Sequence, residues 1–189
     1  MKKDAIRTIG RTMWLEDTLW LVLSGTGAEF RVTGTKAVIR LISDDKWNAG
    51  EENQPRVAVY MDGVRVFDVM LDEPEKSLTV FESESIENHV IRVVKLSEAP
   101  MSTCGVADIQ VEGEMTPTVP YGRLIEFVGD SITCGYGVED EDRDHHFLTT
   151  TEDVTKAYAY KTAKALGADY SMVSFSGYGI VSGYTGNGE

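Results

Sequence analysis

Ser131 stands in the run Gly129-Asp130-Ser131-Ile132-Thr133-Cys134-Gly135-Tyr136-Gly137, immediately after the apolar stretch Arg123 to Val128. A serine leaving a strand among small residues can project its hydroxyl from a turn. For acyl transfer such a hydroxyl needs a base to take its proton and backbone N–H groups facing the oxyanion that develops on the carbonyl. Glycines let a backbone come that close to a reacting group. A bare Gly-Asp-Ser tripeptide is also an ordinary turn, with Asp130 and Ser131 bonded to local backbone, and the Asp130 carboxylate is expected to tie this turn by accepting N–H bonds. A second stretch of the same character, Ser176-Gly177-Tyr178-Gly179, follows another apolar run at Tyr170 to Phe175.

Other reactive side chains carry weaker cases. Cys134 has no cationic neighbour that would lower its thiol pKa, and reads as packing. His145 and His146 lie close to Ser131 in sequence, but in Asp142-Arg143-Asp144-His145-His146 they are more simply part of a solvated insertion than a base. The carboxylates and imidazoles of Asp140 to His146 would suit several metals, yet their spacing matches no known ligand set. His89 sits in a β-rich run and reads as structural. Aromatic faces match the apolar faces of pyranose rings, which makes Trp14, Trp20 and Trp47 candidate sugar platforms. Trp20, inside an apolar run, reads as core, whereas Trp47 follows Asp44-Asp45-Lys46 in a loop and is the better candidate for touching substrate or a partner subunit. Tyr136 and Tyr178 flank the two glycine-bearing turns, placed either for a substrate rim or for packing beside them.

These residues must be held by the elements around them. From Leu19 to about Val111, short β-rich runs alternate with turn residues, the pattern of a sandwich or barrel. Val57, Val59 and Met61 alternate with Ala58 and Tyr60, Asp62-Gly63 supplies the positive backbone angles of a tight turn, and Val64 to Phe67 return. This predicts a hairpin over Val57 to Leu71. Further strands are expected at Phe30 to Val32, Lys36 to Ile42, Ser77 to Phe81, His89 to Leu96 and Ala107 to Glu112, about six or seven in all. Pro117 and Pro120 mark a linker over 115–122, where a ladder cannot continue. Beyond it come a strand at Arg123 to Val128, a helix from about Val154 to Leu166 capped by Thr151 or Asp153 and ended by Gly167, and a strand at Tyr170 to Phe175. Strand, helix, strand is a βαβ unit with a parallel sheet. Open α/β sheets put ligand sites outside the carboxyl ends of their strands, which is where Ser131 and Gly177 fall. Two strands and one helix cannot bury both faces of a sheet, so the unit is expected to be unfinished.

Composition sets outer bounds. Hydrophobic residues at 42% and charged residues at 26% supply enough apolar material for a core and make no case for disorder. Eighteen basic against thirty-one acidic residues, a formal charge of -13, oppose the phosphate attraction behind nonspecific nucleic-acid binding and suit neutral substrates such as sugars. No run approaches the ~18 apolar residues of a membrane span. Met1-Lys2-Lys3-Asp4 leads into no apolar signal segment, so a cytoplasmic location is expected unless a targeting segment has been removed. Cys104 and Cys134 sit in dissimilar contexts and are expected to be free thiols.

The block Gly129 to Gly137, with the preceding Arg-Leu-Ile-Glu-Phe-Val, resembles the first conserved block of the GDS(L), or SGNH, hydrolases, and within them carbohydrate esterase family two, the acetylxylan esterases and sugar deacetylases. Ile9-Gly10-Arg11-Thr12, Ser24-Gly25-Thr26-Gly27-Ala28-Glu29-Phe30 and Gly34-Thr35 are similar to that family's N-terminal jelly-roll domain, and Ser176 to Ile180 resembles the second block of its hydrolase domain. The resemblance implies two domains: an all-β jelly-roll-like sandwich over 1–114, then, after the linker at 115–122, the start of an α/β SGNH-hydrolase domain over 123–189, incomplete in this chain. It implies Ser131 as nucleophile and first oxyanion N–H, and the Gly177 N–H as the second donor. An asparagine donor and a general-base histidine belong to later motifs, a Gly-Asn-Asp block and an Asp-x-x-His block, which the chain is expected to end before. The remainder of the hydrolase domain is therefore an expected partner. Losing one oxyanion donor costs ~2.7 to 4 kcal/mol of transition-state stabilisation and losing the base several orders of magnitude in rate, so these residues alone are expected to be nearly inactive.

The substrate implied is acetylated carbohydrate, with no metal or other cofactor needed, no nucleic acid, no membrane, and room for a homo-oligomer. Two alternatives stay open: a glycan-binding module that does not hydrolyse, and a lipase- or thioesterase-like esterase using the same serine.

Overall fold

The computed structural model describes residues 2–179, 181 and 183. Ile180, the last residue of the second block, and the polar Gly186 to Glu189 lie outside the described residues. After a 3-10 turn at Lys3–Ala5, the chain forms β1 (Arg7–Ile9), β2 (Met13–Leu15), β3 (Thr18–Leu21), β4 (Gly27–Ser43), β5 (Arg56–Met61), β6 (Val64–Met70), β7 (Glu75–Lys95) and β8 (Cys104–Pro117). Among the described residues these eight strands make one hydrogen-bonded sheet in the order β2-β3-β8-β4-β7-β5-β6, with β1 paired to β4.

The long strands explain why alternation in the sequence seems to stop and restart. In β4 the larger buried apolar side chains are Phe30 and Val32, flanked by Ala28, then Ile39 and Leu41, flanked by Ala37, and the ladder shifts register between Gly34 and Lys36. A bulge inserts a residue and turns the alternation over without ending the strand. The same change occurs in β7, where Leu78 and Val80 give way to Ile91 and Val93. The four runs expected as separate strands are therefore halves of β4 and β7. β8 also runs past Glu114 to Pro117, which pairs opposite Phe30. As the last residue of a strand, a proline needs no ladder N–H, so it does not stop pairing where the sequence pattern placed the linker. The Asp62-Gly63 turn closes the expected hairpin, with φ of 52° and 83°.

One core collects Leu19, Leu21, Phe30, Ile39, Val57, Val59, Ile91 and Val106 from across the sheet. Leu19 and Leu21 are fully buried, but Trp20 between them faces the other way and stays half-exposed; it is Trp14 that packs against this core. The expectation that Trp20 fills the core is corrected by that simple alternation. β5 is buried on both faces. Val57 and Val59 enter the first core, while Ala58 enters a second one with Ile9, Val94, Leu96, Val154, Ala159, Ala163, Tyr170 and Met172.

That second core joins the sheet to the α/β unit: β9 (Leu124–Gly129), α1 (Ser131–Cys134), α2 (Tyr158–Ala165) and β10 (Asp169–Ser174), with β9 and β10 parallel. The expected single helix from Val154 arrives in two pieces. Asp153 accepts from the Thr155 N–H and hydroxyl, capping a 3-10 turn at Val154–Lys156; Ala157 is then extended (ψ 160°), and α2 begins at Tyr158. Gly167, at φ 57°, ends α2 as expected. Polar ties reinforce the contact. Arg7 bonds Glu29 and Asp169, Arg65 bonds Asp153, and Arg56 bonds Asp68, Glu139 and the Thr150 carbonyl. Both ends of the acidic insertion are thereby fastened to β5 and β6. No helix among the described residues is long and apolar enough to cross a membrane.

Candidate active site

β9 and β10 pair from Asp169 opposite Leu124 to Ser174 opposite Gly129, so both strands end at one edge. Ser131 lies just past the first end and Gly177 just past the second. The turn into α1 is built by Asp130, whose carboxylate accepts the Ile132 N–H at 3.0 Å while its carbonyl accepts from Thr133 and Cys134. Asp130 is thus the tie for this turn that the sequence suggested. Two glycines make room for it. A Cβ at Gly129 would lie 2.1 Å from the Thr133 hydroxyl, and Gly135 ends α1 at φ 84° with a hypothetical Cβ 2.5 Å from the Asp153 carbonyl oxygen.

The remaining groups of the turn are unspent. Among the described residues, the Ser131 hydroxyl and the N–H groups of Ser131 and Gly177 make no hydrogen bond. Gly177, at φ 82°, is the third residue of a turn closed by the Tyr178 N–H on the Phe175 carbonyl at 3.3 Å. A non-glycine second residue followed by a positive φ is type II geometry, which glycine favours. A hydroxyl and N–H donors left unbonded among the described residues at one sheet edge are the groups needed to attack a carbonyl and to receive the resulting oxyanion.

Below this edge lies a buried polar group that the sequence did not announce. Ser24, Lys95, Glu98, Glu152 and Ser174 are all fully buried. The Glu98 carboxylate accepts the Ser176 N–H at 2.8 Å and lies 3.6 Å from the Cys134 sulfur, which in turn is 3.2 Å from the Ser174 hydroxyl. The Glu98 N–H donates to Glu152 at 2.9 Å, and the Lys95 ammonium donates to the Ser97 and Glu98 carbonyls. Ser24 and Ser174 hydroxyls approach to 3.4 Å, so the Ser24 to Gly27 stretch lies against the end of β10. Burial, with Glu98 adding to it, pushes the Glu152 carboxyl up to about 8, and burial lowers the Lys95 pKa. Burial pushes the Cys134 thiol up to about 12, which removes it as a nucleophile. Donor atoms of Glu98, Cys134 and Glu152 lie within 4.8 Å of one another, a spacing that could hold a cation, though a thiol pushed up to about 12 opposes one. Both cysteines are free and buried, as expected.

The other sequence candidates separate. Tyr136 donates its N–H to the Ser131 carbonyl at 3.0 Å and stacks on Phe147 at 4.0 Å with its side chain partly exposed. Tyr178 is 69% exposed, with Phe175 as its ring neighbour at 5.9 Å. Trp47 is half-buried in a 3-10 turn at Asp45–Asn48, its carbonyl held by Gln54. His145 is exposed and bonded to Asp140, and His89 is held between Asp62 and Glu87, both at 2.7 Å. Neither imidazole bonds Ser131.

Residues 8–120 match the family described as Carbohydrate esterase 2 N-terminal. The chain belongs to carbohydrate esterase family 2. It is similar to an acetylxylan esterase / glucomannan deacetylase of Cellvibrio japonicus, at 33% identity over 123 residues that cover 62% of this chain and 34% of that protein. Among solved structures, an acetyl xylan esterase from the rumen bacterium Butyrivibrio proteoclasticus superposes with a TM-score of 0.84 at 31% identity, over 97% of this chain and 49% of that one. A family two carbohydrate esterase from Clostridium thermocellum, in complex with cellohexaose, superposes with a TM-score of 0.84 at 24% identity, over 96% and 54%. This carbohydrate esterase family 2 chain thus spans about half the length of the solved structures it matches, and less of the curated relative.

Proposed function

We propose that this chain is the front portion of a serine esterase that removes acetyl groups from carbohydrate, with Ser131 as nucleophile. The observation that carries the reading is the β9–β10 pairing, which brings the capped Ser131 turn and the Gly177 turn to one edge, with the Ser131 and Gly177 N–H groups unbonded among the described residues. The Ser131 oxygen attacks the acetyl carbonyl as its proton passes to a base. The oxyanion is held by the Ser131 and Gly177 N–H groups. Collapse forms the acyl-enzyme and expels the sugar oxygen, which recovers the proton, and water then releases acetate.

In this reading the base and a third donor come from the family's later motifs; His89 and His145 are bonded to carboxylates instead. In this reading the sheet unit is the jelly-roll-like sandwich, and β9, α2 and β10 open the SGNH hydrolase sheet. Leu124, Val128 and Ile132, exposed on β9 and α1, are then surface that the rest of that sheet covers. Tyr136 and Tyr178 form the substrate rim, and Trp47 touches substrate or a partner subunit.

A serine-directed organophosphonate tests the assignment on the full-length protein. The expected adduct is on the peptide carrying Ser131, with hydrolysis of p-nitrophenyl acetate lost in proportion. An unmodified Ser131 alongside full inhibition would overturn it. The glycan-binding alternative draws on the neighbour solved with cellohexaose. Oligosaccharide binding without any acetate release, by the full-length protein, would favour it instead.

A further inference from the structure

We propose that Glu98, a residue of the sheet unit, is a positioning residue for the oxyanion site: by accepting the Ser176 N–H it holds the Phe175–Tyr178 turn in the form that presents the Gly177 N–H. The inference rests on the esterase reading above and adds a residue to it.

The geometry is specific. Glu98 follows β7 in the chain and is fully buried, yet its carboxylate accepts the N–H of Ser176, the residue before Gly177, at 2.8 Å. Types I and II of a four-residue turn differ by rotation of the central peptide, here the one that carries the Gly177 N–H. Rotating it would send that N–H to the opposite side of the turn. Fixing the adjoining Ser176 N–H on a buried carboxylate opposes the rotation, and the closing bond from Tyr178 to Phe175, at 3.3 Å, is long enough to need help.

Glu98 is itself held. Its N–H is bonded to Glu152, its carbonyl takes the Lys95 ammonium, and the Cys134 thiol of α1 contacts the same carboxylate oxygen that Ser176 uses. One side chain therefore touches both the nucleophile turn, through Cys134, and the oxyanion turn, through Ser176. Lys95, Glu98 and Glu152 come from two distant chain segments, so the arrangement exists only when the sheet and the α/β unit are docked.

The test uses the full-length enzyme. Glu98→Gln keeps an acceptor oxygen of the same reach, and Glu98→Asp keeps the carboxyl group but withdraws it by one methylene. A misplacement of about 1 Å at a reacting centre can cost ~100-fold. Glu98→Asp is expected to lower kcat for acetyl-ester hydrolysis by ~10- to 100-fold with KM within ~2-fold, while Glu98→Gln stays within ~3-fold of wild type. Amide hydrogen exchange in the peptide covering Phe175 to Tyr178 is expected to quicken in Glu98→Asp and to stay slow in Glu98→Gln and Ser131→Ala. Equal kcat in wild type and Glu98→Asp, or an equal loss in Asp and Gln variants, would overturn the positioning role. Hydrolysis that survives Ser131→Ala would overturn the esterase reading instead, and the exchange measurement would still report whether Glu98 holds the turn.

Discussion

Arg7 on β1 bonds Asp169 at the first position of β10 while also pairing with the buried Glu29 of β4. A single guanidinium thus joins the sheet to the start of the strand that leads to Gly177. Because both carboxylates push its pKa up against the opposing effect of burial, Arg7 stays charged across the working pH range.

Arg7→Leu is expected to destabilise the protein by about 3 kcal/mol, the lower end for removing one partner of a buried pair, because Arg92 still neutralises Glu29. Urea unfolding of wild type and variant checks this. A change below about 0.5 kcal/mol would mean that the domain contact does not depend on the pair.

Glu152 gives a pH signature. Its folded pKa, raised to about 8 chiefly by burial and then by Glu98, exceeds the ordinary value, so the folded state holds a proton that the unfolded state releases between the two. That stability is fully present below the unfolded value and lost as pH rises through about 8. The facing groups are Glu98, Lys95, Arg56 and Cys134. Wild type is expected to lose stability steadily from the unfolded value up to about pH 8, at roughly one proton's slope, and Glu152→Gln to lose much less over the same range. Parallel curves for the two proteins would contradict the assignment.

His89 should act in the same direction over a different range. Its bond to Asp62, joined by one to Glu87, raises its pKa, and the stability this adds is present below about 6.5 and lost as pH climbs through the raised value. Asp62 also accepts the Val90 N–H, so the imidazolium clamps the hairpin tip to β7. NMR titration of the imidazole should give a pKa above 6.5 in wild type, falling towards 6.5 in Asp62→Asn.

Gly135→Ala probes the nucleophile turn. The added Cβ would meet the Asp153 carbonyl oxygen at 2.5 Å on a residue held at φ 84°. A positive φ alone costs ~1 to 3 kcal/mol, so the expected loss is at least about 2 kcal/mol with a larger fractional loss of activity. Thermal unfolding and ester hydrolysis measured on one preparation separate the two effects.

Legibility in the sequence followed the range over which each feature is determined. The Ser131 turn and the Asp62-Gly63 hairpin were readable because the decisive residues are adjacent, and Asp130 behaves as its type dictates beside a strand end. β4 and β7 were read as fragments because a bulge reverses alternation that a linear pattern needs unbroken. β1 and β2 were missed because three residues carry too little alternation to register. Glu98 and Glu152 left no trace, since nothing in Ser97-Glu98-Ala99-Pro100 distinguishes a buried carboxylate from a solvated one. Their burial is fixed only when Lys95, Cys134 and Ser176 arrive from three places in the chain.

The central claim is that Ser131 carries the acyl group, and acetate release from an acetylated xylo-oligosaccharide by the full-length Ser131→Ala variant tests it most directly. A loss of at least ~1,000-fold in kcat with folding intact is expected, as removal of a serine nucleophile entails. Hydrolysis near the wild-type rate in a folded Ser131→Ala protein would contradict it.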